Sequence, residues 1–194
     1  SSIKLKAKGN REMNIINASY EILTPISKDG ITELKHIERI GRVCYKSEGR
    51  ITEDGESAKK FVKMLVTNGH EAMIEHSTLS VKFTVDRGVS HELVRHRIAS
   101  FAQESTRYVN YSLDKFGNEI NVINIKDGIA LDNKMKNLDA NTIGTIIAEW
   151  MSAMEDAEKH YMRMIELGAT PQIARSVLPN STKTEITVTA NYRE

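Results

Sequence analysis

Residues 79–86, LSVKFTVD, decide the fold class. Leu79, Val81, Phe83 and Val85 alternate with Ser80, Lys82, Thr84 and Asp86, the period of a strand with one face in a core and one toward water. Residues 184–190 alternate in the same way, and 14–23 (NIINASYEIL) read as a further strand. Helical spacing fills the intervals. From Ile31, apolar residues recur at Leu34, Ile37, Ile40, Val43 and Cys44, and Phe61, Met64 and Leu65 mark a second helix that ends near Asn68-Gly69. A short helix is expected from Val89 to about Ile98. The longest runs over 142–167, with Ile143, Ile146, Trp150, Met154, Ala157, Tyr161 and Ile165 on one stripe, and Gly168 closes it before Pro171 opens a short helix. The stretches 47–57 (SEGRITEDGES) and 109–140 read as loops. Strands separated by helices without a repeating strand–helix–strand series predict an α+β fold. That fold is a mainly antiparallel sheet flanked by helices, in a single domain.

Composition narrows the function classes. The 194 residues carry 27 Lys and Arg against 26 Asp and Glu, a formal net charge of +1. That balance argues against a general nucleic-acid partner while leaving room for a local anion pocket. Mean hydropathy is −0.40, and no apolar run approaches the ~20 residues of a membrane helix. A single cysteine, Cys44, forms no internal disulfide and supplies no Cys-rich metal site, which fits a reducing cytoplasm. On the helical spacing above, Cys44 reads as a small buried hydrophobe at a packing position, not as a nucleophile. The polar residues 1–12 (SSIKLKAKGNRE) read as a leader or cloning remnant before a start at Met13.

Polar chemistry concentrates in residues 91–108, HELVRHRIASFAQESTRY. Arg95, His96, Arg97 and Arg107 bring positive charge, and Ser100, Gln103, Glu104, Ser105 and Thr106 bring hydrogen-bonding groups. A guanidinium fork grips two oxygens of a phosphate, so the cluster suits a nucleotide monophosphate. It equally suits a solvated helix face on which Glu92 pairs with Arg95 or His96 at helical spacing. Zinc is rejected. In HELVRH the second histidine falls one residue late for HExxH, and HEAMIEH (70–76) spaces its histidines by six. No Gly-rich phosphate loop is present, so any dinucleotide would be held by side chains.

Arg95-His96-Arg97, seven residues and then Ser105 reproduce the RHR-x7-S signature of the flavin-dependent thymidylate synthases (the thymidylate synthase complementing protein family), with Arg107-Tyr108 following. Further blocks resemble that family in its own order: Arg42-Val43-Cys44-Tyr45, Gly69-His70-Glu71 with Glu75-His76-Ser77, Ala174-Arg175 with Leu178-Pro179, and Asn191-Tyr192-Arg193. The resemblance covers most of the chain from Met13 onward and makes 13–194 one synthase domain. It implies methylation of deoxyuridylate (dUMP) to thymidylate, with methylenetetrahydrofolate as carbon donor and FAD reduced by NADPH, in a homotetramer whose sites are shared between subunits. Carried over position by position, Cys44, His70, Glu75, Arg95, His96, Arg97, Gln103, Asn191 and Arg193 would contact FAD. Glu92, Arg95, Gln103, Glu104, Ser105, Thr106, Arg107 and Arg175 would contact dUMP. Arg95, Ser105, Arg107 and Arg175 form the implied catalytic group. Glu92 stands where many members have glutamine. The family also continues past the Asn-x-Arg block into a further helix with site residues, so a C-terminal continuation beyond Glu194 is expected. Two rivals stand beside this reading: a nucleotide- or RNA-binding module built on 95–107, and a redox flavoprotein without methyl transfer. Aromatic residues make up 6% of the chain, and Phe101 alone falls inside the cluster, which weighs against base stacking on single strands.

Overall fold

The computed structural model describes residues 3–4, 14–107, 111 and 119–194. The expected leader, apart from the backbone of Ile3 and Lys4, and Tyr108 lie outside the described residues. The strands are β1 (Ile3–Lys4), β2 (Asn14–Ile16), β3 (Ser19–Ile22), β4 (Thr78–Asp86), β5 (Ala99–Gln103), β6 (Asn121–Ile123) and β7 (Lys183–Asn191). The helices are α1 (Ile31–Tyr45), α2 (Glu56–Thr67), α3 (Arg87–Leu93), α4 (Lys126–Leu131), α5 (Ala140–Glu166) and α6 (Pro171–Ala174). The mixed helix-and-sheet class expected from the sequence is what forms. The chain divides into two compact units.

The first unit comprises Ser1–Ser19, Phe83–Arg95 and Gln103–Ile186. Its core is one face of α5. Met154, Tyr161 and Met162 are buried there with Ile15, Ile120, Val122 and Ala174, and Trp150, Val177 and Leu178 pack against them. Asp139 caps α5, accepting from the backbone N–H of Asn141 at 2.9 Å and of Thr142 at 3.0 Å. The Thr142 hydroxyl adds a bond at 2.6 Å and holds the Asp139 carboxyl below the usual carboxylate range. Gly168, at φ +95, ends the helix in the left-handed region.

A small sheet of order β1-β2-β6 joins this core, β1 antiparallel to β2 and β2 parallel to β6 in the register Ile15↔Val122. Both β6 and α4 fall inside the stretch expected to be loop. A three-residue strand carries too little periodicity to stand out, and β6 exists through its pairing with β2, far away in sequence. Tyr111 and Tyr161 meet edge-on with ring centroids 5.8 Å apart. Burial pushes both phenols above their ordinary range, and the Glu104 charge pushes Tyr111 further.

The second unit comprises Tyr20–Lys82, His96–Ala102 and Thr187–Glu194. The four-stranded sheet has the order β3-β4-β7-β5, and this unit holds β3 from Tyr20, β4 as far as Lys82, β5 as far as Ala102 and β7 from Thr187. The Leu23 N–H bonds to the Ser80 carbonyl at 2.8 Å, and Lys82 meets Glu21 at 2.7 Å, so β3 and β4 are antiparallel. The Tyr192 N–H bonds to the Ser77 carbonyl at 2.9 Å, and the Ser80 and Thr189 hydroxyls lie 2.7 Å apart, one fixed antiparallel register between β4 and β7. In the first unit, the Arg87 N–H continues that register to Thr182 at 3.1 Å.

On α1 the buried positions are Ile37, Glu38, Gly41 and Arg42; Ile37 and partly buried Leu34 keep the expected apolar stripe, while Val43 and Cys44 leave it. Val43 is 54% exposed and Cys44 is exposed too, so the packing role expected for the thiol is overturned. A charged pair takes core-facing positions instead. Arg42 Nη2 and Nε donate to Glu38 Oε1 at 2.7 and 3.0 Å, and Ser57 Oγ donates to the other carboxylate oxygen at 2.9 Å. The guanidinium also lies 4.4 Å from the Phe61 ring centroid. Such a pair holds because every charge is met by an opposite charge or a donor. It leaves no apolar signature in the sequence. Gly41 makes the packing possible, since a Cβ there would sit 2.6 Å from Phe61 Cε1.

Gly41→Ala is therefore expected to destabilise the protein by about 1–3 kcal/mol, despite alanine's helix preference. Gly144→Ala in α5, where nothing lies within 4 Å, should be neutral or stabilising by up to ~1 kcal/mol. Denaturant midpoints check this, and equal effects at the two sites would contradict the packing described.

The tyrosine pair sets an alkaline limit. Below the ordinary phenol pKa of about 10 both folded and unfolded chains hold neutral tyrosine and the contribution is intact. Above it the unfolded chain ionises while the folded one resists, so stability falls as pH rises. Tyr111→Phe should lose less stability than the parent chain between pH ~8 and ~11, and parallel losses would refute the assignment.

Candidate functional site

The basic triplet does not lie on a helix. Asp86 caps α3 by accepting from the Val89 N–H at 2.7 Å, and α3 ends at Leu93, short of the expected Ile98. Beyond it Val94 is 39% and Ile98 65% exposed, so no burial rewards continuing the helix. Arg95, His96 and Arg97 therefore stand exposed on the turn between α3 and β5, itself a strand the sequence did not reveal. Glu92 and Arg95 are joined only through backbone, the Arg95 N–H bonding to the Glu92 carbonyl at 3.0 Å. Among the described residues no carboxylate lies within ion-pair distance of Arg95, His96 or Arg97. The solvated-face reading, which needed a carboxylate partner, loses its support.

The residues expected to contact dUMP all belong to the first unit. Thr106 is buried, and its hydroxyl accepts from Arg175 Nη1 at 3.3 Å, bringing together residues far apart in sequence. Arg175 follows α6 and donates Nε to the Gln172 carbonyl at 3.3 Å, so two contacts aim its fork. Ser105 Oγ accepts from the Arg107 N–H at 3.4 Å, shaping the turn that carries exposed Arg107.

Gln103 is held by groups that the sequence did not single out. Ser90, fully buried, donates its hydroxyl to the Arg87 carbonyl at 3.1 Å, so its oxygen must accept from Gln103 Nε2 at 2.9 Å. Nε2 also reaches buried Thr184 Oγ1 at 3.3 Å. This fixes the amide orientation and leaves Gln103 Oε1 as an acceptor for a ligand N–H. Glu104 is engaged within the fold. Its N–H bonds to the Glu185 carbonyl at 2.9 Å, and its Oε2 meets Lys183 Nζ at 3.1 Å and the Glu185 N–H at 3.2 Å.

The residues expected to contact FAD, apart from Arg95 and Gln103, belong to the second unit. Arg193 bonds Glu75 through Nη1 and Glu71 Oε2 through Nε at 3.1 Å, and these carboxylates raise its pKa above the usual value, the Glu75 bond most. Asn191 Oδ1 accepts from the Arg193 N–H at 3.0 Å. His70 Nδ1 lies 2.8 Å from the Tyr45 hydroxyl, and Cys44 Sγ lies 4.0 Å from Met73 Sδ. Glu71, Tyr45, Ser90 and Thr184 thus support predicted site residues. Glu71 sits inside the Gly-His-Glu block and Tyr45 inside the Arg42-Val43-Cys44-Tyr45 block; Ser90 and Thr184 carry no signal in the sequence. Among the described residues no three His, Cys, Asp or Glu side chains gather as a metal site, and no helix is long and apolar enough to cross a membrane.

Comparison with known proteins gives this geometry its context. The solved structure of a UMP/dUMP methylase, PolB from Streptomyces cacaoi bound with 5-Br dUMP, superposes with a TM-score of 0.71 over 92% of this chain and 75% of its own, at 22% identity. At that identity it shows the fold. The flavin-dependent thymidylate synthase of Geobacter sulfurreducens is 30% identical over 158 residues, 79% of this chain and 61% of the relative. That of Corynebacterium aurimucosum is 33% identical over 162 residues, 81% of this chain and 62% of the relative. The chain thus spans about three fifths of the length of these curated relatives. The sequence model of the thymidylate synthase complementing protein family matches residues 31–194. The chain belongs to that family.

Proposed function

We propose that this chain, within its full-length protein, methylates dUMP to thymidylate for DNA-precursor synthesis, with methylenetetrahydrofolate as carbon donor and FAD reduced by NADPH. The observation that carries the proposal is the exposed turn Arg95-His96-Arg97, without a carboxylate partner among the described residues. Exposed guanidinium groups without counter-charges are ready for a ligand's phosphates.

The residues present fit a flavin. Arg95, His96 and Arg97 suit its pyrophosphate, and Gln103 offers an acceptor while Asn191 and His70 bring polar side chains. Cys44 fills the remaining expected slot. Arg193 and Glu75 already bond one another, so they enter as an oriented pair rather than as loose charges. When bound, FAD supplies the hydride chemistry. The chain's own residues do the rest. Arg107 and Arg175 hold the nucleotide with Ser105 and Thr106, and Glu92 and Glu104 line the same segment. Gln103 Oε1 accepts from the pyrimidine N–H. Cations at the pyrimidine carbonyl stabilise negative charge on the ring and so raise the nucleophilicity of its carbon 5, a preorganised electrostatic contribution. This makes a cysteine adduct unnecessary, which suits an exposed Cys44 whose Sγ lies 4.0 Å from Met73 Sδ.

Residues 13–194 act as one synthase domain of a cytoplasmic homotetramer. The exposed apolar residues of and beside β3, Tyr20 at 70%, Ile22, Leu23 and Ile26, support self-association of the second unit. No nucleic-acid or membrane partner enters the proposal.

In the full-length protein, Arg107→Ala should weaken dUMP binding by about ten- to a hundredfold, the loss of charge-assisted hydrogen bonds to phosphate. Cys44→Ala should turn over thymidylate within about threefold of the parent, since no covalent thiol step is required. Calorimetric dUMP titration and product formation check the two variants. An inactive but folded Cys44→Ala protein, or an Arg107→Ala protein that binds dUMP normally, would sink the mechanism.

A further inference from the structure

A basic hollow in the second unit uses none of the predicted flavin or dUMP contacts, although Tyr45, whose hydroxyl lies 2.8 Å from His70 Nδ1, lines part of it. Two adjoining depressions, of about 550 and about 390 Å³, share Arg42, Arg50 and Phe61. Lys46 and Ser47 line the first, and Lys60 lines the second. Their volumes fall within the range of small-molecule sites. Four cations converge on them, and the one carboxylate in either lining, Glu56, pairs with Lys59 at 2.7 Å. Arg42 is neutralised by Glu38. Among the described residues Lys46, Arg50 and Lys60 have no carboxylate within ion-pair distance. Three like charges around one hollow repel one another, so the fold gains nothing from gathering them.

The backbone adds an independent sign. Lys46, at φ 46, is the one non-glycine residue with positive φ among those described. It closes α1 in a Schellman arrangement, its N–H bonding to the Val43 carbonyl at 3.4 Å and the Ser47 N–H to the Arg42 carbonyl at 3.3 Å. Glycine fits that position with least strain. A lysine held there is unfavourable for the backbone, and it puts a charge on the rim of the hollow. Ser47 Oγ accepts from Arg42 Nη1 at 3.4 Å, which leaves its proton for another acceptor.

We propose that this hollow is a second oxyanion site, taking the phosphate end of a phosphorylated nucleotide. Lys46, Arg50 and Lys60 supply the charge, Ser47 a donor, and Phe61 and Met64 an apolar wall. A compact multivalent anion meets three converging cations better than a lone carboxylate does. The site uses no residue of the 95–107 cluster, and its nucleotide occupant rests on the thymidylate reading.

The test is calorimetric titration of the full-length protein with inorganic pyrophosphate, comparing the parent with Arg50→Ala/Lys60→Ala and with Lys46→Gly. The double variant should bind about tenfold more weakly or worse. Lys46→Gly should also bind more weakly while melting at the same or a higher temperature, because glycine relieves the left-handed backbone. Displacement of pyrophosphate by NADPH identifies the dinucleotide that supplies the phosphate. No binding to the parent, equal binding to parent and variants, abolition by Arg107→Ala alone, or displacement by triglutamate, a polycarboxylate, at lower concentration than by NADPH would overturn the site. The dUMP affinity of the hollow variants should match the parent, so failure here and failure of the thymidylate reading remain distinguishable.

Discussion

Strand β7, between β4 and β5 in the sheet order, is the constraint on which the site residues hang. In the first unit its opening residues reach the 103–104 stretch. Thr184 holds the Gln103 amide, while Lys183 and the Glu185 backbone hold Glu104. In the second unit its far end delivers Asn191 and Arg193 to the Gly-His-Glu segment, with the Tyr192 N–H on Ser77 and the guanidinium on Glu71 and Glu75. Main-chain pairing in one fixed register therefore positions side chains from distant parts of the sequence. A slip of one residue would send each of them to the opposite face.

Charge is distributed with a consistent logic. Cations that serve the fold are paired and largely buried, as Arg42 is with Glu38 and Lys183 with Glu104. Isolating a charge away from water is costly unless it is matched, so such residues are poor ligand contacts. The Arg95-His96-Arg97 turn and the Lys46–Arg50–Lys60 hollow are the reverse, exposed or half-open and without carboxylates nearby among the described residues. Arg193 lies between these cases: exposed, yet held by two carboxylates. Selectivity for anions then needs no phosphate loop. Gln103, whose amide is oriented by a buried serine, adds direction where the arginines supply only attraction.

Much of this was legible in the sequence. The alternation in β4 and β7 and the stripe on α5 place strong periodic burial on long elements, and there the expected boundaries fall within two residues of those observed. The RHR-x7-S spacing identified the family. What stayed hidden has physical causes. β6 and β5 are short and defined by partners far away in the chain, so local sequence carries little of their energy. Beside Ile37 and Leu34, the α1 core face carries a charged pair stacked on Phe61, which apolar spacing cannot detect, and it leaves Cys44 exposed. The end of α3 depends on the absence of anything to bury Val94 and Ile98, a property of the tertiary fold. Supporting residues such as Ser90 and Thr184 are ordinary in type and gain meaning only from what they touch.

On the proposed function, arginines of the 95–107 segment gather a nucleotide beside a bound flavin, so that hydride replaces thiolate chemistry. The visible absorption spectrum of the purified full-length protein, recorded as dUMP is added, tests it most directly. A bound flavin band that shifts saturably with dUMP is the predicted result. A colourless protein that still forms thymidylate, or a flavin band indifferent to saturating dUMP, would contradict it.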